Sequence, residues 1–328
     1  MYIEKLYWGT LALKIVILDG YCLNHGDLSW EKFSSLGEIV LYTRTPYDRI
    51  IERMGDASIM ITNKCTIDKS MIDSLPKLRY VGILATGYNN VDVEYARSKG
   101  IVVTNIPAYS TESVVQTVFG LITELYSGIG YHNQTVKNGD WEKCPDFCYY
   151  KTGMHELFGK TIGIVGAGRI GLRVKEVANA YGMQVLLYSK SRHAEECGFK
   201  YVESLNELYE KSDIVSLNCP LDNANVKMIN EEALSHFKKT AILINTARGG
   251  LVDEEALANA LNSAQIAGAG VDVLSVEPAL STNPLLRAKN IVITPHVAWA
   301  TVEARTTLME IAFNNLKAYV NGKPINVV

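Results

Sequence analysis

Short apolar runs rich in β-branched residues alternate with helix-length segments along nearly the whole chain. In the first third, 14–19 (KIVILD), 38–43 (EIVLYT), 57–62 (ASIMIT), 79–85 (RYVGILA) and 101–104 (IVVT) read as buried strands. Between them, 67–75 and 91–99 carry apolar positions at helical spacing. A strand covered on both faces needs a continuous apolar run rather than an alternating one, so the pattern predicts a parallel sheet between helices. Residues 111–138 read as one long helix from Thr111 through Val115, Val118, Leu121 and Leu125. The stretch 139–158, rich in Gly, Pro, Cys and aromatic residues, reads as a loop.

A second series follows at 161–165 (TIGIV), 184–188 (QVLLY), 213–218 (DIVSLN), 241–245 (AILIN), 267–273 (AGAGVDV) and 290–294 (NIVIT), and the chain closes on a helical pattern at 301–320. This second set has the strand count of a complete dinucleotide-binding sheet. Two such series in 328 residues predict two α/β domains, both doubly wound parallel sheets.

Composition narrows the partners. Charged residues are 20% of the chain and the formal net charge is -3, with no basic cluster of the kind nucleic acid or an anionic membrane surface attracts. No apolar run reaches the roughly 20 residues of a membrane span, and residues 1–13 lack the layout of a secretory signal. The six cysteines are dispersed except for Cys144 and Cys148; with no second pair or histidine cluster beside them, reduced thiols in a cytoplasmic protein are expected, and no metal.

Gly166-Ala167-Gly168-Arg169-Ile170-Gly171 follows the strand 161–165 and opens a helix running to about Tyr181. In that setting Gly166 permits a tight turn, Gly168 lets a pyrophosphate approach the backbone, and Gly171 lets helix and strand pack closely. The phosphates then lie on the free N–H groups and positive end of the helix. The next strand ends Tyr188-Ser189-Lys190-Ser191-Arg192. A carboxylate at Ser189 would bind the ribose hydroxyls and disfavour a 2′-phosphate. With serine there, and Lys190 and Arg192 following, the expectation leans to NADP over NAD, Arg192 pairing the phosphate.

Three further segments place charged groups directly after buried strands: Thr246-Ala247-Arg248, Glu277-Pro278 and Pro295-His296. Each alone could be a helix-flanking charge, a loop carboxylate or a satisfied polar group. Together they lie on the edge where open α/β sheets bind ligands. Reduction of a 2-keto acid needs a hydride, a proton for the developing alkoxide, and a cation for the carboxylate. Protonated His296 supplies the proton, Glu277 holds its imidazole, and Arg248 offers a planar fork of donors.

These segments also resemble a family. The strand-GAGRIG-helix at 161–181, NTARGGLVDEEAL at 245–257, AGVDVLSVEP at 269–278 and ITPHVAWAT at 293–301 are similar to the D-isomer-specific 2-hydroxyacid dehydrogenases, over essentially all of 14–328. KIVILDGYCLN at 14–24, LATGYNNVD at 84–92, IPAYSTESV at 106–114, CPDFC at 144–148 and PHVAWAT at 295–301 look most like its glycerate dehydrogenase (hydroxypyruvate reductase) branch. The resemblance implies catalysis by Arg248, Glu277 and His296. It implies a substrate loop at Ala85, Thr86 and Gly87, and cofactor contacts at Arg169, Ile170, Cys219, Pro220, Thr246, Ala247 and Asp272, the last near the nicotinamide amide. Trp299 is expected either to wall the substrate pocket or to pack between domains.

The implied architecture is a Rossmann cofactor domain, 109–297, inserted in a flavodoxin-like substrate domain, 14–108 and 298–328. Residues 1–13 form an extension without a counterpart. A homodimer built on the cofactor domain, with 111–150 contributing, is also implied. Many members carry Asp at the position of Ser189, which puts NAD preference in doubt here. The activity implied is hydride transfer between NAD(P)H and a small 2-keto acid, foremost hydroxypyruvate to D-glycerate with glyoxylate second. Another D-2-hydroxyacid specificity, or a binding protein sensing nicotinamide redox state, would use the same fold.

Overall fold

The computed structural model describes residues 13–151, 153–190 and 200–328. The chain forms two compact units, one ending at Tyr109 and resuming at Ala300, the other Ser110–Trp299. The second crossing thus lies two residues beyond the expected boundary, and Ala298 and Trp299 belong with the unit that carries His296.

The first unit is a five-stranded parallel sheet of β1 (Lys14–Ile17), β2 (Glu38–Leu41), β3 (Ile59–Thr62), β4 (Tyr80–Ile83) and β5 (Val102–Thr104), in the order β2-β1-β3-β4-β5. All five expected strands form. β3 and β4 are buried at every position, which is why their sequences run apolar without alternation. The closing helix Val302–Val320 packs on β4.

The second unit holds β6 (Thr161–Val165), β7 (Gln184–Tyr188), β8 (Lys200–Tyr201), β9 (Ile214–Leu217), β10 (Ile242–Asn245), β11 (Gly268–Val271) and β12 (Ile291–Ile293). Its sheet is parallel in the order β12-β11-β10-β9-β6-β7-β8. Six strands were expected; the seventh, β8, spans two residues and carries no apolar run to betray it. The strand order reverses between β6 and β9, the switch point where such sheets bind ligands beyond their carboxyl ends.

The single helix expected over 111–138 is two, Thr111–Ser127 and Ile129–Lys137. Gly128 ends the first in the left-handed region (φ 59°), which only glycine enters at no steric cost. Val115, Val118 and Leu121 of the first helix are buried, whereas the second has no buried residue, so the apolar stripe stops where the backbone turns.

Candidate active site

The register of the second sheet aligns its strand ends. Val165 pairs with Tyr188 and Leu217, Leu217 with Asn245, Asn245 with Val271, and Val271 with Ile293. Each of these is the last residue of its strand, so six chain segments leave the sheet along one row. The residues singled out in the sequence occupy those exits: Gly166, Ser189, Cys219, Thr246 to Arg248, Asp272 to Glu277, and Pro295-His296.

At the switch point, Gly166 has φ 106°, and a Cβ there would come within 2.7 Å of the Asn218 carbonyl. A Cβ on Gly171 would lie 2.1 Å from the Gly166 oxygen. Both contacts are closer than any side chain tolerates, so the turn needs glycine twice for packing. A Cβ on Gly168, by contrast, would meet nothing within 4 Å. That open space lies at the start of helix Arg169–Ala180, whose N-cap Gly168 supplies no side-chain acceptor. The first-turn N–H groups are thereby left to a ligand, which is the fit a pyrophosphate requires. Arg169 is exposed and Ile170 half-buried beside them.

Along the neighbouring exits, Asn218 keeps a buried Oδ1 without a partner among the described residues, while its Nδ2 is spent on Ser216. Burial pushes the Cys219 thiol above its usual range, so it is a protonated wall rather than a nucleophile. Pro220 is exposed, and its carbonyl accepts from Asn225. Beyond Ser189, Lys190 lies 3.6 Å from the Asp222 carboxylate. An acidic group therefore stands at this end of the site, supplied from another loop. Arg192 lies outside the described residues.

The three charged groups of the proposed chemistry follow β10, β11 and β12, which are adjacent. Asn245, 1% exposed, accepts from the Ala247 N–H and donates to the Arg248 carbonyl, clipping the turn through Thr246. The Arg248 side chain reaches solvent, with Nη1 donating to the Ala247 carbonyl. Glu277 spans two partners: Oε1 accepts the Leu274 N–H at 3.0 Å, and Oε2 lies 2.6 Å from His296 Nδ1. The loop bearing Glu277 is itself held by Glu254, which accepts from the Ser275 N–H and hydroxyl and from Asn283.

His296 sits at φ 54°, a region that costs a non-glycine residue about 1 kcal/mol or more. The surroundings impose it. The His296 N–H donates to the Asp272 carbonyl at 2.7 Å. The Asp272 carboxylate, 1% exposed, accepts from Thr294 Oγ1 and from the N–H groups of Val297 and Ala298. Trp299 Nε1 donates to the His296 carbonyl. With Nδ1 fixed by Glu277, Nε2 is the ring nitrogen without a partner among the described residues. The resemblance implies a cofactor contact at Asp272; here its oxygens serve the loop that carries the histidine. Neither this task nor those of Asn245 and Glu254 was anticipated from sequence. Asn245 alone carried a signal, an asparagine at a strand end that turns the next residues through its own side chain.

In the first unit, the loop after β4 is stripped of free carbonyls. Leu84 O accepts from Asn63 Nδ2, Ala85 O from the Ile106 N–H, and Thr86 O from Asn105 Nδ2. The Thr86 hydroxyl donates to Ile106 O. The N–H groups of Ala85, Thr86 and Gly87 make no hydrogen bond among the described residues. Consecutive free donors of this kind form a concavity for an anion.

Known proteins match the chain throughout. Residues 119–298 fit the family model described as D-isomer specific 2-hydroxyacid dehydrogenase, NAD binding domain. A hydroxypyruvate reductase of Blautia hydrogenotrophica is 46% identical over 321 residues, covering 96% of this chain and 99% of that one. A glycerate dehydrogenase of Methylorubrum extorquens is 38% identical over 97% of this chain and 99% of its own. Among solved structures, the NADPH-dependent glyoxylate/hydroxypyruvate reductase of Sinorhizobium meliloti with NADP and malonate superposes with a TM-score of 0.83, at 30% identity, over 97% of each chain. Sequence, strand order and relatives agree, and the chain belongs to the D-isomer-specific 2-hydroxyacid dehydrogenase family.

Proposed function

We propose that this enzyme reduces hydroxypyruvate to D-glycerate with NADH or NADPH, and glyoxylate as a second substrate. The reading rests on one observation above all: a histidine, held in a left-handed turn, with one ring nitrogen on a carboxylate and the other open, on the same sheet edge as a dinucleotide turn. The relatives named hydroxypyruvate reductase, glycerate dehydrogenase and glyoxylate reductase support the substrate class.

When bound, the cofactor supplies a hydride to C2 of the keto acid. Arg248 takes the substrate carboxylate and carbonyl oxygen, polarising the C=O bond. Within the first unit, the N–H groups of Ala85, Thr86 and Gly87, the implied substrate loop, are donors of the kind a carboxylate needs. As the carbonyl π bond breaks, its oxygen receives the proton of His296 Nε2, and the imidazole regains one from solvent. Glu277 holds Nδ1–H and keeps the ring oriented. In this reading Ser110–Trp299 is the cofactor domain, and 14–109 with 300–328 the substrate domain.

Three aromatic side chains between 147 and 158 are largely exposed, Phe147 at 88%, Phe158 at 77% and Tyr150 at 72%. A second copy of the chain is their proposed cover, making a homodimer. The five described cysteines are free thiols, in keeping with the cytoplasm.

Parallel rates of NADPH and NADH oxidation with hydroxypyruvate test the proposal. Turnover with either cofactor is expected. With Asp222 set against Lys190, the pull toward a 2′-phosphate is smaller than Ser189 alone suggests, and the ratio of the two rates measures it. No oxidation of either cofactor, by protein that binds dinucleotide, would overturn the reading.

A further inference from the structure

The turn that carries His296 is held from opposite sides. Its left-handed backbone aims the N–H groups of Val297 and Ala298 the same way, into Asp272. On the other side, the Ala298 carbonyl accepts the hydroxyl of Ser113 at 2.5 Å. Ser113 lies in the first turn of helix Thr111–Ser127, 185 residues away in sequence. Both residues are buried, Ser113 at 5% exposure and Ala298 at 3%.

A serine or threonine inside a helix can bond the carbonyl four residues back. Thr117 does so, onto the Ser113 carbonyl. Ser113 instead spends its hydroxyl outside its own helix. Its helix is packed on more than one side: it lies against β10, β11 and β12 and against helix Arg169–Ala180. The same helix therefore backs the strands whose ends carry Arg248, Asp272 and His296.

We propose that Ser113 is a positioning residue for His296, a latch that fixes the carbonyl side of the catalytic turn as Asp272 fixes its amide side. The proposal rests on the functional reading above, in which Nε2 of His296 delivers the proton. Without the latch, the buried Ala298 carbonyl has to seek another donor. The turn then shifts, and His296 two residues earlier shifts with it. A displacement of about 1 Å at a proton donor costs up to about 10²-fold in rate. Loss of one of several restraints is expected to cost about tenfold.

The test compares Ser113→Ala, which removes the donor, with Ser113→Thr, which keeps it. Two readouts are taken on the full-length protein. The first is amide hydrogen exchange across residues 294–299 by mass spectrometry, which needs no substrate. The second is steady-state reduction of hydroxypyruvate in H2O and D2O, with NADH affinity from fluorescence titration. Ser113→Ala is expected to exchange several-fold faster at 297 and 298, to lose about tenfold in kcat, and to show a larger solvent isotope effect. Its KM for hydroxypyruvate and its NADH affinity should hold within about twofold, because neither the N–H groups at 85–87 nor the glycine turn is touched. Ser113→Thr should restore both readouts toward the unaltered enzyme.

Unchanged exchange in Ser113→Ala would overturn the latch. Faster exchange with unchanged kcat and isotope effect would overturn the positioning role, as would equal losses in the threonine variant. If Ser113→Ala does not fold, Ser113→Cys keeps the volume, weakens the donor and takes its place with the same readouts. An unaltered enzyme that reduced no 2-keto acid would overturn the functional reading instead, and the exchange data keep that failure distinct from failure of the latch.

Discussion

The glycine turn at 166–171 and the histidine turn at 294–299 do comparable jobs by opposite means. Both present backbone in an unusual conformation at the carboxyl edge of one sheet. The glycine turn is made by what is missing: side chains at Gly166 and Gly171 would collide with backbone atoms 2.7 and 2.1 Å away, and Gly168 leaves open space. Its partners are neighbours in sequence or the adjoining strand exit. The histidine turn is made by what is added: Asp272, Trp299, Glu277 and Ser113 each take or give a hydrogen bond, from 26 residues upstream in the Asp272–Ala298 bond and 185 in the Ser113–Ala298 bond. A local device can be read from a local motif. A device assembled from several loops cannot.

Four substitutions would break or sharpen that contrast. The largest effect is expected at His296. His296→Asn should lower kcat by about 10²–10⁴-fold, the usual worth of a general acid, while dinucleotide binding persists. Equal loss of both would show that the two turns are not separable. Glu277→Gln removes a charged acceptor from Nδ1 and weakens the hold on the imidazolium. A charge-assisted hydrogen bond is worth roughly 1.5–3 kcal/mol, so kcat/KM should fall about 10- to 100-fold, read as initial rates at low substrate.

Within the glycine turn, two residues of the same type have separate tasks. Gly171→Ala drives a methyl into the Gly166 carbonyl and should cost on the order of 1–3 kcal/mol, seen as a lower Tm without ligand. Gly168→Ala should leave that Tm unchanged and weaken dinucleotide binding instead, since only a bound pyrophosphate occupies the space its Cβ would enter. Similar Tm losses in both would refute the assignment of distinct roles.

The smallest effect concerns pH and lies away from both turns, so it serves as a control. Asp213, just before β9, is partly buried, which raises its pKa, but the Thr161 N–H and the Lys238 ammonium outweigh that and leave it lowered. A carboxyl lowered in the folded state contributes stability that is complete above the ordinary carboxylate range and is lost as pH falls through and below it. Asp213→Asn should therefore lower Tm near neutral pH, and the gap should close on acidification. A gap that widens at low pH would contradict the sign.

Most of the scaffold was legible because the physics that forms it is periodic. Unbroken apolar runs such as TIGIV and AILIN could only be strands covered on both faces, and the exits from those strands located Arg248, Glu277 and His296. The break at Gly128 was missed because the residues on either side keep helical composition, and only the backbone angle shows the helix ending there. β8 was missed because a two-residue strand has no period. The resemblance implies a cofactor contact at Asp272, and nothing local in the sequence shows that its carboxylate also holds the histidine loop. Its burial at 1% and its three donors show that task, and both depend on a segment more than 20 residues downstream.

In the proposed reaction the open nitrogen of His296 and a hydride meet on one 2-keto acid to give a product of D configuration. The direct measurement is the fate of a deuteride: NADH carrying deuterium at C4 on the transferring face, mixed with enzyme and hydroxypyruvate, followed by chiral analysis of the glycerate. Deuterium is expected at C2 of D-glycerate, with almost none of that product from His296→Asn. Deuterium in L-glycerate, or unlabelled glycerate, or a variant as active as the unaltered enzyme, would contradict it.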